Sequence, residues 1–377
     1  MLPNTPVWDD TPWPALAPLE GEVETDVCVI GLGGSGLSCI SELLEMGRRV
    51  VGIDTGSVAG GAAGRNGGFL RPGVAAPHHE AVETLGRARA VRLYQLTLEE
   101  IGRIAGDPAA AVRRVGLVRL AVSTDDQEDC DRQREAMRAD GLRAEPFAGP
   151  LGSGIFIADA AAFEPLARCR ALARRALLAG AQLFERTRAL SFGAGEVVTP
   201  GGRIRCAAVV VAVDGGLEEL CPELAGSVRT ARLQMLATAP EPAGTLPSLV
   251  SMNHGFDYAQ QLPSGSIALG GGRDRHLQAE WTHDGQPTEG VQRHLDRVLR
   301  ERLGVHAPVT HRWAASVSYS PSGLPVLAQV RQGVWAVGGY SGTDNLLGAL
   351  LGRAAARAAC GERCEIASLL GFPSSAP

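Results

Sequence analysis

Asp26-Val27-Cys28-Val29-Ile30-Gly31-Leu32-Gly33-Gly34-Ser35-Gly36-Leu37 opens the first periodic element of the chain. Val27 to Ile30 is a short apolar run, the pattern of a parallel strand buried on both faces. The glycine-rich hexapeptide Gly31 to Gly36 follows without a break, and Leu37, Ile40, Leu43 and Leu44 then recur at helical spacing as far as Gly47. Arg49 to Asp54 reads as a second strand ending in an acid, eighteen residues after Gly36. Strand, GxGxxG, helix, strand and acid in this order predict a dinucleotide-binding βαβ unit. Gly31 permits the tight turn, Gly33 lets a pyrophosphate approach the backbone, and Gly36 lets helix and strand pack closely. Gly34 and Ser35 lie at the helix N-terminus, where free N–H groups and the helix dipole favour phosphate. Asp54, with Thr55 beside it, is placed to accept hydrogen bonds from ribose hydroxyls, and its charge disfavours a 2′-phosphate there.

The rest of the composition narrows the chemistry. The chain has 377 residues, 45% hydrophobic and 20% charged, which predicts a folded protein with two or three domain-sized cores. A net charge of −5 argues against a nucleic-acid or anionic-membrane partner. All 36 basic residues are Arg. Without Lys there is no pyridoxal Schiff base, no Walker P-loop and no kinase ATP lysine. The 8 Cys are scattered without a CxxC pair, which predicts buried free thiols and neither a disulfide framework nor a metal site. The Pro-rich, acidic N-terminus lacks the basic and apolar regions of a signal peptide, and no apolar run reaches the length of a membrane span. A soluble, cytoplasmic protein is expected.

A second glycine-rich stretch, Gly60-Gly61-Ala62-Ala63-Gly64-Arg65-Asn66-Gly67-Gly68, comes straight after the second strand, and nothing in a nicotinamide dehydrogenase calls for it. Together with the opening Pro18-Leu19…Asp26-Val27, this stretch resembles the D-amino-acid oxidase-type FAD oxidoreductases. It is most like the γ-glutamylputrescine oxidase and glycine oxidase branch, with Ala63 for the usual Ser. Later segments are similar to the same family: Ala207 to Gly216, Trp313-Ala314-Ala315, and Trp335 to Gly342 followed by Thr343-Asp344. The resemblance implies an α/β fold, a Rossmann-like FAD domain on a parallel sheet with an inserted α+β substrate domain on a mostly antiparallel sheet. It implies FAD contacts at Gly61, Ala62, Ala63, Arg65, Asn66, Gly67, Gly68, Ala189, Val213, Gly215, Gly339, Ser341, Gly342, Thr343 and Asp344. Covalent flavin attachment in some relatives uses a His where this chain has Asn66, or a Cys where it has Ala315, so non-covalent FAD is expected. Leu327-Ala328-Gln329 and Asp344-Asn345 depart from the family pattern.

The spread of these motifs places the FAD domain at about 1–85, 151–225 and 311–377, and the substrate domain at 86–150 and 226–310. Expected elements include a helix over 161–180, a hairpin turning at Pro263-Ser264-Gly265, and a helix over 288–303. In the family the substrate nitrogen need only be neutral as hydride passes from its carbon to flavin N5, so no strong base is required. Tyr258, Arg273 and Tyr340 are the expected substrate-facing residues. Arg232 with Gln234 is either a substrate contact or a junction brace. His78, His79, His254 and His276 read as surface or loop residues. Three functions remain open: an amine or amino-acid oxidase using oxygen, a dehydrogenase of the same chemistry passing electrons to a quinone or protein, and an FAD-containing partner subunit without turnover. In sarcosine oxidase-like relatives a Lys near the flavin is thought to assist oxygen, and this chain has none.

Overall fold

The computed structural model describes residues 2, 4–9 and 12–372. Its contacts divide into two compact units, each discontinuous in sequence. The first comprises Thr11–Gly64, Pro165–Ala231 and Ser316–Pro377, and the second Met1–Asp10, Arg65–Glu164 and Arg232–Ala315.

The first unit is built on a six-stranded sheet in the order Val326–Arg331, Val334–Gly338, Ala208–Val211, Val27–Ile30, Val50–Ile53, Gln182–Phe184. All neighbours are parallel except the edge strand Val326–Arg331. Val27–Ile30, Val50–Ile53 and Ala208–Val211 are buried at every position, which is why they read as unbroken apolar runs. Val27–Ile30 feeds helix Gly34–Glu45, whose Leu37, Ile40 and Leu43 are fully buried and which stops where Gly47 takes φ +71°. Helix Ala349–Ala359 crosses the start of this helix at a point only glycine allows: a Cβ on Gly352 would lie 2.1 Å from the Ser35 carbonyl oxygen. A small sheet (Gly21–Glu24, Gly202–Cys206, Gly195–Thr199, Ser191–Gly193) adds Val197 and Ile204 to the core formed by Cys28, Ile30, Val51, Val209 and Val334.

The second unit carries an eight-stranded sheet in the order Val309–Tyr319, Arg229–Pro240, Ser266–Gly270, Asp257–Gln261, Leu249–Met252, Leu117–Leu120, Gly152–Ile157, Ala144–Gly149. Leu249–Met252 runs parallel to Leu117–Leu120, and the other pairs from 229 to 149 are antiparallel. Val291, Leu295 and Leu299 pack with Leu236, Val250 and Leu269 in one core, while Tyr94, Cys130 and Met137 pack with Leu117, Ile155 and Ile157 in another. The fold is therefore the expected pair: a Rossmann-like parallel sheet and an α+β unit on a mostly antiparallel sheet.

Local differences from the sequence reading have clear causes. The helix expected over 161–180 begins only at Pro165, because Ala161–Ala162 is taken into a ladder with Phe69–Leu70 and proline is tolerated only in the first helical turn. The helix expected over 288–303 is α-helical for Glu289–Arg297 and then widens into a π-turn over Val298–Arg302, closed by Gly304 at φ +64°. His78 and His79 are not surface residues: they are buried at the start of helix His78–Leu85, with ring nitrogens 2.7 Å from Asp140 and 3.1 Å from Asp129. Asp140 replaces the water that burial takes from His78, while Asp129 lies at ion-pair distance from His79 without a hydrogen bond. Among the described residues no helix is long and apolar enough to cross a membrane.

Candidate functional site

The glycine loop of the first unit shows what each glycine is for. A Cβ on Gly31, whose φ is +110°, would lie 2.5 Å from the Ala212 carbonyl oxygen, and one on Gly36 would lie 1.9 Å from the Gly31 oxygen. These two let strand, loop and helix meet. Gly33 is different: a Cβ there would meet only the Ala63 methyl, at 3.3 Å, so its backbone is open to a ligand. Gly33 is also the N-cap of helix Gly34–Glu45, and no side chain caps that helix. Its first-turn amides, those of Gly34 and Ser35 included, have no intrahelical acceptor and suit an anion. Arg168, buried on helix Pro165–Leu178, brings Nη1 to 3.8 Å from where a Cβ on Gly34 would sit. Sequence reading missed this cation, because nothing distinguishes it among the arginines of that helix.

Asp54 is held in place by its own loop. Oδ2 accepts from the Leu32 amide at 2.8 Å and Oδ1 from the Gly56 amide at 2.8 Å, which leaves a lone pair on each oxygen for a ribose hydroxyl. Burial pushes its pKa up, against the pull of those two amides. Thr55 beside it is exposed. Gly61 is also exposed, with nothing near its missing Cβ, and Ala62 and Ala63 begin the short helical turn Ala62–Arg65. Glu185, fully buried, accepts from Trp13 Nε1, Leu16 N and Val58 N, and so ties the N-terminal segment to the start of this loop.

At the other edge of the same unit, Ala189 is buried in the core, and Val213 packs partly against it. Gly215 is required by close approach, since a Cβ would lie 2.5 Å from the Ser316 oxygen. Between them Asp214 is buried at φ +56° and accepts from Ser318 N (3.2 Å), Ser318 Oγ (2.5 Å) and Gly339 N (3.2 Å). Burial raises its pKa to about 6 despite those donors. Gly339 and Ser341 both take positive φ, the Ser341 amide donates to Ser318 O, Gly342 is exposed, and Thr343 Oγ1 donates to Tyr340 O. Asp344 opens a π-turn, Asp344–Gly348, and burial followed by the Asp214 charge raises its pKa to about 7. Tyr340, expected to face substrate, is 1% exposed with its hydroxyl 2.6 Å from Ser35 Oγ. It braces the glycine loop.

The remaining expected residues belong to the second unit. Arg65 donates from Nε to Ala314 O (2.8 Å) and from Nη2 to Asn4 O (2.9 Å) and Asn4 Oδ1 (2.5 Å), while its own carbonyl accepts from Trp313 Nε1. Asn66 Oδ1 accepts the Gly68 amide in an Asx turn, and Gly68 takes φ +68°. Gly67 makes room for Tyr258: a Cβ on Gly67 would lie 2.9 Å from its ring, and one on Gly270, its ladder partner, 2.4 Å. The Tyr258 ring also stands edge-on to Phe69, with centroids 5.7 Å apart. Arg273 lies over the rings of Phe256 (5.4 Å) and Trp281 (5.2 Å). Arg232 is resolved as a structural residue: it is buried in a two-point ion pair with Glu280, both contacts 2.9 Å, while Gln234 Nε2 donates to the same carboxylate. His254 is exposed, and the acids it approaches, Asp126 and Asp129, already bind Arg119.

An uncapped helix start lined by glycine, with an acid fixed at the end of the next strand, is the arrangement found in dinucleotide-binding α/β proteins. Comparison with known proteins narrows this. Residues 26–358 match the FAD dependent oxidoreductase (DAO) family. The chain belongs to that family and is an FAD-dependent oxidoreductase. It is 28% identical to a probable oxidoreductase OrdL of Rhizobium meliloti (strain 1021), over 97% of this chain and 88% of the relative. Glycine oxidase from Geobacillus kaustophilus superposes with a TM-score of 0.75 at 20% identity, covering 91% of this chain and 96% of that one. L-Proline dehydrogenase from P. horikoshii gives 0.76 at 18% identity, with coverage of 92% and 96%. These two likenesses are likenesses of fold.

Proposed function

We propose that the chain oxidises a small amine or amino acid at the carbon next to nitrogen, with FAD held non-covalently. The observation that carries the reading is the open backbone at Gly33 on an uncapped helix, in a chain matched to the FAD family over 26–358. Bound FAD would supply the two-electron acceptor for the C–H bond next to nitrogen, and the neutral amine, having lost a hydride, leaves as an iminium (the protonated imine) that water hydrolyses. The first unit serves as the cofactor unit. Its loop amides and Arg168 bind the pyrophosphate, and Asp54 orients the ribose. Asn66 and Ala315 offer no His or Cys for covalent attachment. The second unit supplies the substrate residues. Tyr258, held by Gly67, Gly270 and Phe69, gives a fixed aromatic wall and a hydroxyl. Arg273, lying over the rings of Phe256 and Trp281, gives a cation for a substrate carboxylate. No residue is needed to take a proton, provided the amine binds neutral. All eight cysteines are free thiols, which suits a reducing cytoplasm. The test is anaerobic titration with a panel of amines and amino acids, following loss of the oxidised-flavin absorbance.

Oxygen is the proposed electron acceptor. A second reading, a dehydrogenase that passes electrons to a quinone or protein, is favoured by one observation: the chain has no Lys, and Arg65 is already engaged by Ala314 and Asn4. Mixing substrate-reduced enzyme with air-saturated buffer distinguishes the two. Reoxidation as fast as turnover establishes the oxidase, and reoxidation far slower than transfer to an artificial dye establishes the dehydrogenase.

A further inference from the structure

Residues 13–19 of the first unit form no helix or strand, and Pro14 and Pro18 have no amide to donate. The segment is nevertheless tied down, on the consecutive residues Glu185, Arg186 and Thr187. Trp13 Nε1 and the Leu16 amide donate to the two oxygens of Glu185, at 2.8 and 2.9 Å. The Leu19 amide donates to Thr187 Oγ1 at 3.0 Å, and Arg186 Nη2 donates back to the Leu16 carbonyl at 2.6 Å. The Arg174 guanidinium lies over the Trp13 ring, 5.3 Å from its centre.

The same residues hold the loop that carries Asp54. The Arg186 amide donates to Gly56 O at 2.9 Å and the Thr187 amide to Asp54 O at 2.7 Å, while the Asp54 amide donates to Phe184 O at 3.0 Å. The Glu185 side chain reaches both partners through one atom: Oε1 accepts from Trp13 Nε1 in the segment and from the Val58 amide, at 2.7 Å, in the loop. We propose that Glu185 is a positioning residue for FAD: through this shared oxygen the segment 13–19 acts as a strap that holds the Asp54 loop in place, and cofactor affinity depends on it. This role rests on Asp54 as the ribose acceptor.

Glu185 is fully buried, so its oxygens depend on protein donors. If the strap lifts, Glu185 loses Trp13 and Leu16 together, and the remaining hold on Val58 loosens with them. The coupling is reciprocal: a ligand that orders the Asp54 loop also steadies the strap. An effect of charge alone has the opposite sign. Burial, and after it the Glu185 charge, push the Asp54 pKa up. Were Glu185 felt at Asp54 only as a like charge, neutralising it would tighten FAD binding. Acting through its hydrogen bonds, it must weaken FAD binding when they are lost.

The experiment titrates the full-length apoprotein with FAD and compares the melting temperatures of the free and loaded forms. Glu185→Gln keeps the size but turns an NH2 group toward a donor. It should weaken FAD affinity by about tenfold and shrink the rise in melting temperature that FAD gives. A merely structural role would lower both melting temperatures alike. Trp13→Phe removes one donor from the shared oxygen and leaves an aromatic ring, and should weaken FAD affinity by about threefold. In the double variant Asp54→Ala/Glu185→Gln the loss should be smaller than the two single losses combined, because both act on one contact. The proposal is overturned by FAD binding as tight as wild type or tighter in Glu185→Gln or, should that variant not fold, in Trp13→Phe. An equal fall of both melting temperatures, or fully additive losses in the double variant, also overturns it. Wild-type affinity in Asp54→Ala alone instead removes the reading of Asp54, and this role with it.

Discussion

Asp54 braces its own loop, and in the proposed reading it serves the ligand as well. Its two oxygens each hold one backbone amide, so the lone pairs it offers a ribose are already oriented. Asp54→Ala should therefore weaken FAD binding by at least tenfold, since hydrogen bonds to an ionised acceptor contribute about 1.5–3 kcal/mol each. Titration of the apoprotein with FAD checks this, and wild-type affinity would show that the acid is not the ribose ligand. Tyr340→Phe removes the bond to Ser35 and should cost about 1 kcal/mol of stability while leaving turnover of a good substrate unchanged. A large fall in kcat without a stability loss would instead return Tyr340 to the reacting centre. At this scale the sequence was informative where a residue type is dictated by backbone geometry, as at Gly31, Gly36 and Asp54. It was uninformative where only the direction of a side chain decides. A tyrosine two residues after a strand gives no sign that its hydroxyl turns to Ser35, and Arg168 looks like its neighbours until its helix is packed.

The turn and helix from Asp344 to Ala359 carry a buried carboxyl whose ionisation opposes folding. Asp344 and Asp214 have folded-state pKa values raised to about 7 and about 6 from 3.8. Between about pH 4 and 7 these two carboxyls therefore hold more protons in the native state than in the unfolded chain, and their contribution to stability falls as pH rises through that window. In thermal melts Asp344→Asn should remove the upper part of this decline. An identical slope in the variant would contradict the assignment. The strands of the parallel sheet were legible because burial on both faces writes them as apolar runs, Val27–Ile30 most clearly. The start of helix Pro165–Leu178 was not, because Ala161-Ala162 are as acceptable in a helix as in the ladder they join with Phe69–Leu70. The crossing of helices at Gly352 was equally hidden: a glycine in an alanine-rich stretch does not announce a 2.1 Å constraint.

For the whole molecule, the motifs at both ends and in the middle of the chain are what point to interleaved segments. The passages from one unit to the other, such as Gly64 to Arg65 and Ala231 to Arg232, coincide with no change of composition, so pattern alone cannot locate them. The same scale decides the state of the cofactor. Acid precipitation of the purified yellow protein should leave intact FAD in the supernatant, and flavin retained on the denatured chain would rule out non-covalent binding. The central claim is oxidation at a carbon next to nitrogen, and anaerobic mixing of the FAD-loaded enzyme with amines and amino acids tests it most directly. The account predicts that at least one of them bleaches the oxidised flavin in a single turnover, with a carbonyl product and released amine or ammonia in equal amount to the flavin reduced. A flavin that stays oxidised against the whole panel, yet is reduced by a nicotinamide or by a substrate without nitrogen, would contradict it.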